Sequence, residues 1–92
     1  MVSVATYDDV AVALKMANET RYGLHAGLFT ADLGLAKRAI EVFDFGGVIV
    51  NDVPTWRADQ MPYGGVRDSG NTREGPLYSF LEMTELRSAI VA

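Results

Sequence analysis

The sequence predicts an α/β fold. A small parallel βαβαβ sheet carries helices on its faces and is followed by a long glycine-rich loop, a helix and a C-terminal strand. Three observations predict it. Short apolar or alternating runs take turns with segments of helical period along the first fifty residues. Val48–Val50 is an unbroken β-branched run, of the kind found where both faces of a strand are covered. Met61–Gly75, MPYGGVRDSGNTREG, holds four Gly and one Pro and follows neither period. Strands alternating with helices imply parallel pairing through right-handed crossovers. Residues 1–60 then form the body, 61–75 the loop, and 76–92 the closing helix and strand.

In order, Val2–Tyr7 reads as a strand with Val2 and Val4 on one face. It opens almost at Met1, which is expected of a piece cut from something longer. Asp8–Asn18 reads as a helix. Asp8 or Asp9 suits its first free N–H groups, and Val10, Ala13, Leu14 and Ala17 make one apolar stripe. Glu19–Gly23 is a turn. Ala26–Thr30 is a short buried-type strand, and Thr30 or Asp32 caps a second helix, Leu33–Phe43. Leu33, Ala36 and Ile40 of that helix face inward, with Ala39 and Phe43 widening the stripe. Gly46 and Gly47 end it before the Val48–Val50 strand. Beyond the loop, Pro76 sits where a helix tolerates its missing N–H. Leu77, Phe80, Leu81 and Thr84 repeat at helical spacing, and Leu86–Ala92 reads as a last strand. Open sheet edges invite pairing with another chain.

Fifteen residues is long for a connection in a compact domain, so the loop is either functional or disordered. Apolar Met61 and Tyr63, and the charges of Arg67, Asp68, Arg73 and Glu74, provide means to tie its turns together. Glycine there supplies backbone shapes that a Cβ forbids.

Composition narrows the function. The 92 residues carry 49% hydrophobic and 22% charged side chains, ordinary for one small globular domain. A net charge of −4 and no basic run leave no footprint for nucleic acid. No apolar stretch is long enough to cross a bilayer, and no signal-peptide pattern is present. There is no cysteine, so this chain supplies no disulfide, thiolate metal ligand or cysteine nucleophile; the usage fits a cytoplasmic origin. The single histidine, His25, rules out a multi-histidine metal site and reads as a packed or surface residue. No glycine-rich turn follows the first strand, which sets aside a small nucleotide-binding domain.

Four stretches carry a resemblance: ANETRYGLHAGLFT (Ala17–Thr30), GGVIVND (Gly46–Asp52), PYGGVRDSGNTREG (Pro62–Gly75) and EMTELRSAIV (Glu82–Val91). In this order and spacing they resemble the C-terminal segment of the aldehyde dehydrogenase superfamily. NDVPTWRADQMPYGG resembles most the branch with lactaldehyde and phosphorylated-aldehyde dehydrogenases. The resemblance implies an enzyme that oxidises aldehydes to acids with NAD or NADP, through a cysteine thiolate and a glutamate base. Those residues, the oxyanion asparagine and the dinucleotide site would all lie upstream, so Asn51 is not the oxyanion group. This chain alone is expected to bind no cofactor and to be inactive.

What the resemblance carries over is the wall of the aldehyde entrance, at Trp56, Arg57 and Tyr63. Aromatic faces suit the non-reacting part of a substrate, and a guanidinium suits a carboxylate or phosphate. Local packing of Trp56 and Tyr63, and a solvated Arg57, are the alternatives. Arg73 and Glu74 match the family's structural pair and read as loop anchors; Asn71-Thr72 stands where the family commonly has a glycine before it. The last strand resembles the arm that pairs with a neighbouring subunit, which implies a homo-oligomer or association with the rest of a dehydrogenase. The other reading is a self-standing interaction module from a truncated gene.

Overall fold

The computed structural model describes all 92 residues. In chain order it contains α1 (Val10–Asn18), β1 (Tyr22–Gly23), β2 (His25–Leu28), α2 (Leu33–Val42), β3 (Gly47–Val50), β4 (Val66–Arg67) and α3 (Pro76–Glu82).

The helix starts are set by aspartate. Asp9 accepts from the N–H groups of Ala11 and Val12 at 2.7 and 3.4 Å, and Asp32 from those of Gly34 and Leu35 at 2.8 and 3.3 Å. Each satisfies two donors that have no partner in the first turn and sets a negative charge at the positive end of the dipole. α3 has Pro76 at its first position and no side-chain cap.

β2, α2 and β3 form one βαβ unit. β2 and β3 pair in parallel, with His25 opposite Gly47 and Leu28 opposite Val50. β1 and β4 make a separate antiparallel pair, Tyr22 with Arg67 and Gly23 with Val66. The loop 61–75 is therefore folded back on the turn before β2. A second pairing inside it, Tyr63 with Glu74, runs through N–H···O bonds of 3.1 and 2.6 Å.

Its glycines fill a steric need where backbones cross. A Cβ on Gly46 would run into the Gly64 carbonyl, and one on Gly64 into that of Thr72. Gly70 and Gly75 take φ of +90° and +123°. Arg67, at φ +54°, anchors the loop by donating to the carbonyls of Asn18, Thr20 and Asp44. Asp68 pairs with Arg21 at 3.0 Å, and Arg73 donates to the Gly65 carbonyl at 2.7 Å. Asn18 clips the two helix ends together, donating to the Val42 carbonyl and accepting from the Asp44 N–H.

Four expectations are corrected. Residues 2–7 and 86–92 form no strand; every one of them is exposed, and no backbone lies alongside to pair with them. A strand's N–H and C=O groups need a neighbour, and this chain provides none there. The βαβαβ sheet accordingly reduces to the single parallel pair β2–β3. Only part of each helical stripe is covered. Leu14, Ala36 and Ala39 are the buried apolar residues, while Leu33 and Ile40 are exposed. Finally, β3 is half-buried along its length rather than covered on both faces.

Candidate functional site

The residues expected at an aldehyde entrance come from the segment after β3 and the start of the glycine loop. Asn51 ends β3 with φ of +62°, and its Oδ1 accepts from the Thr30 N–H at 2.8 Å. That pairing turns the chain away from the sheet toward Pro54, Trp56 and Arg57. Tyr63 is brought beside them by its backbone pairing with Glu74.

Arg57 and Tyr63 come together. The guanidinium carbon of Arg57 lies 4.2 Å from the Tyr63 ring centroid, a cation–π contact. The same guanidinium donates from Nη2 to Glu74 Oε2 at 3.0 Å. Arg57 is thus a held side chain rather than a free solvated tail. This ion pair is open to water and contributes at most about 1 kcal/mol. The position it sets for the planar fork of donors matters more. Glu74 anchors the loop through Arg57, and Arg73 does so separately through Gly65.

Trp56 does not join this pair. It lines a shallow hollow with Val48, Ile49, Val50 and Asp52, on the open surface of β3. The three predicted residues therefore split into a polar pair, Arg57 with Tyr63, and an apolar wall holding Trp56.

His25 completes the cluster. Its Nδ1 lies 3.1 Å from the Pro54 carbonyl, and its ring meets Tyr63 edge-to-face at 4.9 Å. Its place on β2 is fixed by the pairing with Gly47. In the sequence it is marked only as a ring side chain directly before the apolar AGLF run; its place opposite a glycine comes from the fold.

Helix starts are where a pyrophosphate binds most readily. Those of α1 and α2 are each occupied by an aspartate carboxylate. At those two starts the carboxylates, already bonded to the first N–H groups, leave no place for a pyrophosphate. The chain has no group of His, Asp and Glu side chains arranged to hold a metal ion, and no helix long and apolar enough to cross a membrane.

Residues 1–89 match the model of the aldehyde dehydrogenase family. The chain is 48% identical over 90 residues to the 3-sulfolactaldehyde dehydrogenase of Priestia aryabhattai, covering 98% of this chain and 19% of that enzyme. Among solved structures it is similar to aldehyde dehydrogenase 21 from Physcomitrella patens, in complex with the reaction product succinate. That match has a TM-score of 0.83 and 49% identity, over 86% of this chain and 16% of that one. It is also similar to the glyceraldehyde-3-phosphate dehydrogenase of Methanocaldococcus jannaschii complexed with NADP. There the TM-score is 0.74 and the identity 46%, over 76% of this chain and 15% of that one. The chain spans about a fifth of the length of the curated relative it matches.

Proposed function

Because this chain belongs to the aldehyde dehydrogenase family and is a short segment of it, we propose that it forms part of the aldehyde entrance of an NAD- or NADP-dependent dehydrogenase. The observation that carries this reading is the family match over residues 1–89 in a chain without cysteine. The thiolate nucleophile that the resemblance implies must come from elsewhere in such an enzyme. Within this stretch, Arg57 and Tyr63 offer a cation beside an aromatic face, and Trp56 an apolar wall. The substrate class this suits is a small aldehyde bearing an anionic group at the end away from the carbonyl. Among the relatives, one is named for 3-sulfolactaldehyde and another is crystallised with succinate, both anionic, while the lactaldehyde dehydrogenase of Methanococcus aeolicus is named for an uncharged aldehyde.

A second role is assembly. Leu77, Phe80 and Leu81 of α3 and Leu86, Ile90 and Val91 of the tail are all exposed. We assign them to contacts with the rest of the enzyme or with a neighbouring subunit. There the 86–92 segment would find the strand partner it lacks here.

The test is purified chain mixed with NAD, NADP and a panel of anionic and neutral aldehydes, read by nicotinamide absorbance. No reduction above background is expected. Turnover would refute the reading, since it would place a complete catalytic set within these residues.

A further inference from the structure

We propose that His25 is a positioning residue for the aldehyde entrance; this rests on the entrance reading above. The imidazole stands between the two halves of the cluster. On one side Nδ1 is 3.1 Å from the Pro54 carbonyl, two residues before Trp56. A carbonyl only accepts, so Nδ1 carries the hydrogen. On the other side the ring meets Tyr63 edge-to-face at 4.9 Å. Arg57 lies over that same Tyr63 ring at 4.2 Å and reaches Glu74. His25 therefore ties the segment that carries Trp56 and Arg57 to the ring on which the guanidinium rests.

Two further observations make this a built arrangement rather than a chance contact. Nε2 is shut off from solvent and has no hydrogen-bond partner. The hydrogen-bonding capacity of the ring is thus spent on Pro54 alone. Moreover, the ring lies against Gly47, its partner in the parallel register. A Cβ at Gly47 would come within 2.5 Å of Nε2 and 2.6 Å of Cδ2. Only a glycine at that position leaves the imidazole where it is. The bare backbone of β3 thus acts as a seat that turns the ring toward Pro54 and Tyr63. A water-facing histidine at a strand start would need no such seat.

The chain has one histidine and one tryptophan, so both report without ambiguity. Long-range nitrogen–proton correlation spectra of the labelled 92-residue chain would be recorded at mildly alkaline pH. We expect the hydrogen on Nδ1 and a bare Nε2. His25→Ala is expected to shift the Trp56 indole, the Tyr63 ring and the Arg57 Nε resonances together. Gly47→Ala, which keeps the imidazole but displaces it, is expected to shift the same three. His25→Asn, whose amide can donate to Pro54, is expected to restore the Trp56 resonance and not those of Tyr63 and Arg57. A hydrogen on Nε2, or resonances of Trp56 and Arg57 that ignore His25→Ala, would overturn the proposal; an unfolded chain would give both. These spectra involve no aldehyde. The entrance reading fails separately, if Arg57→Gln in the assembled dehydrogenase leaves the KM for an anionic aldehyde unchanged.

Discussion

At the scale of single residues, the proposed entrance rests most on Arg57. Its guanidinium is fixed by a ring beneath it and a carboxylate at one end, with the rest of its donor fork uncommitted among the hydrogen bonds of the chain. A hydrogen bond to a charged group contributes about 1.5–3 kcal/mol. In the assembled dehydrogenase, Arg57→Gln should therefore raise the KM for an aldehyde carrying a carboxylate, sulfonate or phosphate about tenfold or more. The KM for a neutral aldehyde of similar size should barely move, and kcat should stay near its original value for both. Steady-state kinetics with the paired substrates checks this; equal losses for both would assign Arg57 to loop structure alone. The aromatic and cationic character of Trp56, Arg57 and Tyr63 was readable in the sequence. Two things were not. Glu74 is seventeen residues from Arg57, and no local pattern says that they pair. Nor does any pattern say that Trp56 turns to the β3 hollow while its neighbour turns to Tyr63.

At the scale of elements, the helices are the most legible part and the strands the least. α1 and α2 announce themselves by an aspartate followed by an apolar period, and Asp9 and Asp32 do cap them. Asp32→Ala should cost about 1 kcal/mol, while Asp32→Asn should keep most of the stability, because an amide oxygen caps nearly as well. Urea unfolding followed by circular dichroism distinguishes the two; similar midpoints for both would mean that the cap is not what sets the start of α2. β1 and β4 escaped the sequence reading because two residues cannot show a period. Their pairing is what turns the glycine loop from a connection into an ordered rim. The segments 2–7 and 86–92 misled in the other direction. Alternation reports a capacity to pair, and whether a partner exists is a property of the surroundings.

At the scale of the whole molecule, the surface is too large for the mass. The accessible area is 7451 Å², against about 5200 Å² for a compact monomer of this size. The radius of gyration is 17.3 Å, where a folded domain of equal length has about 12 Å. The excess area, about 2200 Å², is what a substantial protein–protein interface buries. Exposed Leu33, Phe80, Leu81, Leu86 and Ile90 contribute to its apolar character. Such a chain should associate through these faces, with itself or with the remainder of a dehydrogenase. The most direct measurement is light scattering coupled to size-exclusion chromatography over a wide concentration range. We predict a mass that rises with concentration above the 10.0 kDa of a single chain. A monodisperse monomer at every concentration, with a radius of gyration near 12 Å by small-angle scattering, would contradict it.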